Sequence, residues 1–456
     1  MPFDPQEIAR WTSGDWQGGL PGKLTGFAFD AREIRPGELF FALGGVRDGH
    51  DFVPQAARNG AAGAVVARTV EAALPQLVVR DPLEAMAAIA HAQRSRFSGP
   101  VVGITGSSGK TSTKEMLHRL LGRERCHATA GNWNNRIGVP MTLFGLDSTR
   151  HDFAVIEAGI NQPGEMAELG RMIEADLTIL THIGPAHLEL LGSLDGIANE
   201  KSMLALSARP SAPLVLPAAA LAYPAYAALA ERAIAAVGEG ERLPTFPARR
   251  VDYRFLSSDY AGTRFRLDSE VLKGEFFVHS RSRGISVNAV LAAVAAAELG
   301  VDAEAIRCRL AEWRPAASRG QLRQVGPRLY YVDCYNANPA SMADALPAFV
   351  GSVPKILPRY YVLGAMNELG DEASRWHRET AARIPFRAGD RLAFVGPGAL
   401  VAAYREGALE AGWPGDRVDC VENAENLKSR IDRFEGAVFL KGSRSYALET
   451  LLGEAR

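Results

Sequence analysis

From Pro100 onwards, continuous apolar runs alternate with amphipathic stretches. PVVGIT (100–105), DFAVIEAG (152–159) and DLTILTHIG (176–184) each end in glycine or a glycine-rich loop, and Met166, Leu169 and Ile173 recur at helical spacing between the last two. Runs that are apolar at every position, rather than at every second one, read as strands buried on both faces. Alternated with helices, they predict a parallel, doubly wound sheet. Within 251–280 the shorter pieces YRF, TRFRL and EFFVHS predict an antiparallel insertion, and an alanine-rich helix is predicted from Val287 to Gly300. After Pro315 the pattern restarts with RLYYVDCY, RYYVLGAM, RLAFVGPG and GAVFLKGS, which predicts a second, Rossmann-like α/β domain. Before the Ser98-Gly99-Pro100 break lie ELFFAL (38–43), GAVVA (63–67) and a predicted helix from Leu83 to Arg94. The chain is therefore read as three α/β domains over residues 1–98, 99–315 and 316–456. The uncharged stretch from Ala212 to Ala230 is mostly alanine and is broken by Pro213, Pro217 and Pro224. It is too weakly apolar and too interrupted for a membrane span, and is read as surface loop and short helix.

Composition narrows the function classes. A chain of 456 residues exceeds one ordinary core, in line with several domains. Apolar residues at 47% and charged residues at 23% describe a soluble globular protein, and a net charge of −1 gives no broad basic field for nucleic acid or a membrane surface. Cys126, Cys308, Cys334 and Cys420 are widely spaced, which argues against a zinc knuckle or a disulfide framework and for a reducing cytoplasm. The opening MPFDPQEIARW lacks a basic start followed by an apolar run, so no signal peptide is expected.

The strongest chemical signal is Gly106-Ser107-Ser108-Gly109-Lys110-Thr111, set between a predicted strand and a predicted helix. Glycines let successive backbone N–H groups curl round a phosphate, and the helix N-terminus adds positive potential. Lys110 can neutralise β/γ-phosphate oxygens, and the Thr111 hydroxyl can ligate Mg²⁺. Ile104 stands where the longer Walker spacing has glycine, so the shorter motif draws its weight from the strand and helix around it. Glu157 ends one predicted strand and His187 follows the next. Carboxyl ends of neighbouring parallel strands meet at the ligand crevice, so both side chains are expected to reach the metal and phosphates. Lys201 falls on a helix predicted from Leu194 to Leu206, where residue type alone favours an ordinary solvated lysine.

These motifs, in this order, resemble the Mur ligases of peptidoglycan synthesis over essentially the whole chain. The resemblance is carried by TGSSGKTSTKEM (105–116), ATAGNWNNRIGVPMTL (128–143), IEAGINQPGE (156–165), IGPAHLELLGS (183–193), DCYNANPASM (333–342), LGAMNELG (363–370) and KGSRS (441–445). It implies an N-terminal uridine-diphosphate domain, a central ATPase domain and a C-terminal domain for the incoming amine. Gly106, Ser107, Ser108, Gly109, Lys110, Thr111 and Ser112 would hold the ATP phosphates. Thr111, Glu157 and His187 would bind Mg²⁺, and Lys201 would be carbamylated so that an anion faces a second Mg²⁺. Asn288, Arg319, Asp333, Asn336 and Asn338 would surround the nucleotide. Asp30, Arg32, Asp48, Gly49 and His50 would contact the uridine diphosphate, and Asn132, Asn134 and Asn135 the muramoyl and phosphate region. Lys441 and Arg444 would meet the incoming peptide or its carboxylate. Ala31, His182, Gly284, Val332 and Ala365 depart from the residues usual in the family.

The activity implied is ATP-dependent joining of D-alanyl-D-alanine to UDP-N-acetylmuramoyl-tripeptide through an acyl phosphate, by a cytoplasmic monomer that engages neither nucleic acid nor membrane. Within the family YNANP, LGAMNELG and KGSRS favour this member. The alternatives are a sister ligase adding a single amino acid, a folylpolyglutamate-type ligase, and a silent nucleotide-binding relative. Substrates divided among three domains imply closure on binding, with joints near 98–100 and 315.

Overall fold

The computed structural model describes residues 3–242 and 247–453. Among them are three sheets, of five, nine and six strands. The first runs in the order Asp15–Gln17, Gln76–Val78, Gly63–Val66, Glu38–Phe41, Gly26–Ala28, parallel except for its short first strand. ELFFAL and GAVVA both supply buried strands of it, as their patterns predict.

The central sheet runs Lys273–Val278, Gly262–Asp268, Arg249–Asp259, Ala233–Gly238, Leu214–Pro217, Leu177–Leu180, Val101–Thr105, Phe153–Glu157, Cys126–Ala128. Seven of these strands, from Arg249–Asp259 onward, are parallel. Two expectations are corrected here. The stretch 212–230 is not surface loop alone: Leu214–Pro217 is an interior strand, paired on one side with Leu177–Leu180 and on the other with Ala233–Gly238, which the sequence reading also missed. Half of Ala233–Gly238 is alanine, which has little strand preference, and Leu214–Pro217 is a four-residue run that follows Pro213 and ends in Pro217, so neither looks like an interior strand. Alternate residues nevertheless face opposite cores. Val215, Ile234 and Ala236 pack with the alanines of helix Arg283–Glu298, and Leu214, Leu216, Ala235 and Val237 pack with Ile197 and Ala198 of helix Leu194–Leu206. Small side chains let the helix approach the sheet closely. Secondly, the three strands expected within 251–280 are present and pair antiparallel in succession, but they are no insertion. The first of them pairs parallel with Ala233–Gly238, so the hairpin extends the same sheet.

The third sheet runs Gln321–Val325, Arg328–Val332, Ala437–Lys441, Arg359–Gly364, Arg391–Val395, Val418–Val421, with only the first strand antiparallel. Gln321–Val325 and Val418–Val421 escape the sequence reading because they are edge strands, half exposed and lacking a continuous apolar run.

Helix Pro82–Arg96 bridges the first joint. Its buried Arg94 donates to the Ile173 carbonyl (2.8 Å), the Glu174 carbonyl (2.9 Å) and the Asp176 carboxylate (2.7 Å), and Gln93 donates to the Leu146 carbonyl (2.7 Å). Phe27 of the first sheet meets Phe144 of the central domain at 4.1 Å between ring centroids. Removing one partner of a buried ion pair costs about 3–5 kcal/mol because the other is left buried and unpaired. Asp176 keeps Arg209 at 2.7 Å, which places Arg94→Ala at the low end. Urea unfolding should begin at clearly lower concentration in that variant; an unchanged midpoint would remove Arg94 as the fastener of this joint.

Candidate active site

The central and C-terminal domains enclose a cleft of about 670 Å³ at the carboxyl ends of the central strands. Its floor is the loop between strand Val101–Thr105 and helix Lys110–Leu120. Two glycines are obligatory there. Gly106 has φ +150°, and a Cβ on it would lie 1.9 Å from Thr181 Oγ1; Gly109 has φ +83°, and its Cβ would lie 2.4 Å from Asn288 Nδ2. The loop is pinned from beneath by the Ser107 N–H on the His182 carbonyl (2.8 Å) and the Thr181 hydroxyl on the Ser108 carbonyl (2.5 Å). Lys110 Nζ folds back to the Gly106 carbonyl (2.7 Å), and desolvation holds its pKa below the usual lysine value against the nearby Glu157 carboxylate. The result is a concave ring of N–H donors with one ammonium, as an oligophosphate requires.

Glu157, almost wholly buried, stands beside it. One carboxylate oxygen accepts from the Thr111 hydroxyl (2.9 Å) and the other from Asn134 Nδ2 (2.7 Å). His187 follows strand Leu177–Leu180 in the left-handed region (φ 57°), and its Nδ1 lies 2.6 Å from Glu368 of the C-terminal domain. The hydrogen bond from His187 holds the Glu368 carboxyl below its usual range. Lys201 departs most from the bland reading of its residue type. It is 1% exposed, its Nζ has no hydrogen-bond partner, and burial together with the charge of Lys110 drives its pKa well below the ordinary lysine value. It lies behind the cleft wall rather than on a solvated helix face.

The C-terminal domain closes the cleft from above. Arg319 donates to Thr111 Oγ1 (3.0 Å) with its guanidinium 3.9 Å over the Tyr335 ring, and Asn338 Nδ2 reaches the Ser107 carbonyl (3.3 Å) while its Oδ1 caps helix Pro339–Ser352. Lys441 ends strand Ala437–Lys441, almost fully buried, and donates to Asp333 (2.6 Å) and to the Asn336 carbonyl (3.3 Å). Burial raises the pKa of Asp333 against the opposing pull of Lys441.

Comparison with known proteins decides the family. The Mur ligase middle domain matches residues 104–297, and the Mur ligase glutamate ligase domain matches 318–444. UDP-N-acetylmuramoyl-tripeptide–D-alanyl-D-alanine ligase of Bacillus subtilis is 31% identical over 94% of this chain and 92% of its own length. The ligase of the same name from Escherichia coli is 31% identical over 93% and 92%. The chain belongs to the Mur ligase family. Among solved structures, MurF from Acinetobacter baumannii superimposes with a TM-score of 0.87 at 28% identity, covering 99% of this chain and 98% of that one. MurF of Thermotoga maritima in complex with ADP gives 0.76 at 25% identity over 93% and 96%.

The remaining residues expected of this Mur ligase divide by place. Ser107 to Ser112, Asn132, Asn134, Glu157, His187, Asn288, Arg319, Asp333, Asn336, Asn338 and Lys441 all border the cleft. Asn135 instead caps helix Gly138–Phe144, its Oδ1 accepting from the Gly138 N–H (2.8 Å), and Arg444 is exposed and paired with Glu449 (2.5 Å). Asp30, Arg32, Asp48, Gly49 and His50 lie apart from the cleft, on the first domain. Asp30 and Arg32 hold each other (2.6 Å). His50 is used internally, with Nδ1 on Asp48 (2.6 Å) and Nε2 accepting the Ala67 N–H (2.9 Å), and a Cβ at Gly49 would strike the Leu43 carbonyl (2.4 Å). Of the departures, Ala31, Val332 and Ala365 are buried, and Gly284 donates its N–H to Asp344 (2.9 Å) at the mouth of the cleft. Sequence reasoning missed Glu368, although LGAMNELG contains it. Its partner, His187, is distant in sequence, and only the fold brings them together.

Proposed function

We propose that this Mur ligase joins D-alanyl-D-alanine to UDP-N-acetylmuramoyl-tripeptide at the expense of ATP. The observation that carries the reading is the full-length likeness to ligases of that name, through all three domains. The cleft chemistry agrees with it. A carboxylate resists an amine because oxide is its leaving group. Transfer of the γ-phosphoryl group of ATP to the tripeptide carboxylate gives an acyl phosphate, and attack by the dipeptide amine through a tetrahedral intermediate expels phosphate. Lys110 and the loop N–H groups hold the β/γ-phosphates and offset charge developing on the transferring group. Arg319 supplies a second cation from the opposite domain, bonded to Thr111 at 3.0 Å. Closure of the C-terminal domain orients the amine and excludes water from the acyl phosphate.

The residues fit Mg²⁺. Thr111 and Glu157 offer hard oxygen atoms 2.9 Å apart beside the phosphate loop, and His187 borders the same cleft. Mg²⁺ there would neutralise phosphate charge and orient the γ-phosphoryl group. The lone, desolvated Nζ of Lys201 fits a carbamate for a second ion. A buried amine with a depressed pKa is a nucleophile; it adds to CO₂, loses one proton and becomes an anion. Lys441 would face the incoming dipeptide, Asp333 and Asn288 the nucleotide, and Asp30, Arg32 and Asp48 the uridine diphosphate.

No helix among the described residues is long and apolar enough to cross a membrane. The test is phosphate release from ATP with each tripeptide form, ending in lysine or diaminopimelate, and with D-alanyl-D-alanine, D-alanine or neither. Turnover should require both a tripeptide and the dipeptide. Equal turnover with a single amino acid would favour a sister ligase.

A further inference from the structure

The cleft holds one contact that the phosphotransfer chemistry above does not use, the 2.6 Å pairing of His187 Nδ1 with the carboxylate of Glu368. The two residues come from different domains, and each lies in the left-handed region, His187 at φ 57° and Glu368 at φ 65°. A non-glycine residue there carries backbone strain that its surroundings must hold in place. Both sides are held. Glu368 follows Met366, whose N–H donates to His377 Nε2 (2.9 Å), and Asn367, whose N–H donates to Ser443 Oγ (3.0 Å). On the other side Leu188 packs into the C-terminal core, and a Cβ on Gly370 would come within 3.2 Å of the Glu189 Cα. The loop after the metal histidine is thus seated in the C-terminal domain.

An imidazole that donates from Nδ1 to a carboxylate is fixed in orientation and tautomer, with the Nε2 lone pair free to meet a metal or a metal-bound water. We propose that Glu368 is the positioning residue for His187, so that the histidine becomes a good metal partner only when the C-terminal domain is closed. This rests on the reading of His187 as a metal residue. It makes metal affinity depend on closure, and by reciprocity makes metal binding favour closure.

The test reads metal binding rather than turnover. Mn²⁺ is titrated into the full-length enzyme with ADP, and free Mn²⁺ is followed by electron paramagnetic resonance; ADP binding in EDTA reports an intact fold. Losing such a carboxylate partner typically weakens metal binding about 10–100-fold. Glu368→Ala should show that loss with ADP affinity in EDTA unchanged. Glu368→Gln, whose amide oxygen can accept the same N–H, should lose less. In a His187→Ala background, Glu368→Ala should add nothing further. Wild-type Mn²⁺ affinity in Glu368→Ala, or a loss that persists in full without His187, overturns the proposal. Wild-type Mn²⁺ affinity in His187→Ala overturns the metal reading beneath it, and the two failures are separable because the second appears in the single histidine variant.

Discussion

Replacement of Lys110 by alanine should lower phosphate release at least about 10²–10³-fold, the usual cost of removing one preorganised electrostatic stabiliser from a reacting site. The expectation follows from the geometry of the loop. Gly106 and Gly109 admit no side chain, so the loop presents backbone N–H groups and uncharged hydroxyls to a phosphate, with Lys110 as its one cation. Lys110 Nζ rests on the Gly106 carbonyl at 2.7 Å, a contact it can exchange for phosphate oxygen without leaving the loop. Arg319 cannot take over, since its guanidinium is committed to Thr111 and the Tyr335 face and arrives from the other domain. Lys110→Arg should also be poor, because a planar fork replaces a compact charge in a space walled by loop backbone. Steady-state phosphate release and ADP binding measured on the same preparations separate lost chemistry from lost folding. Turnover within a few-fold of wild type in Lys110→Ala would sink the assignment of this loop.

How much of this was legible beforehand depended on whether a residue's signal was local. The phosphate loop was, because strand, glycines, lysine and helix are consecutive and the physics that links them acts within that one stretch. Glu157 and His187 were legible at one remove: Glu157 ends one buried strand, His187 lies in the loop after another, and strands 101–105, 153–157 and 177–180 are neighbours in the sheet. Strands Leu214–Pro217 and Ala233–Gly238 were not legible: Pro213 and Pro217 bound the first so closely that it reads as loop, and the alanines of the second report their burial only through distant partners such as the alanine-rich helix Arg283–Glu298. Arg94, Glu368 and Asp344 were invisible for a related reason. Each acts through a partner from another domain, at separations of roughly 60–180 residues, and no spacing rule reaches so far. Lys201 is the converse case, since residue type alone points the wrong way. Residue type argues for solvent, whereas its neighbours Ile197, Ala198, Ser202, Leu204 and Ala205 are all buried, so the helix has turned the lysine into the sheet.

That burial makes Lys201 the sharpest point at which the mechanism can fail. Its Nζ is desolvated, without a hydrogen-bond partner, and near Lys110, an arrangement that disfavours an ammonium twice over. A lysine kept there for stability alone would be a poor choice, since an apolar residue of like volume would cost less. Lys201→Met, of like volume, should therefore unfold no more easily than the native chain, and both it and Lys201→Ala should lose about 10²-fold or more in turnover, the scale for removing a charge that holds a reacting centre. If the missing group is a carbamate, a small carboxylate can occupy the space the side chain leaves, and millimolar acetate or formate should restore part of the activity in the alanine variant but none in the native enzyme. Lys201→Arg should stay inactive and unrescued, because guanidinium keeps its positive charge and fills the cavity. Mass spectrometry after rapid trapping of the carbamate as a methyl ester supplies a readout independent of rate, with a label on Lys201 expected in the native chain. Native turnover in Lys201→Ala would refute the role outright; lost turnover without rescue and without label would leave Lys201 a positioning residue and remove the carbamate from the mechanism.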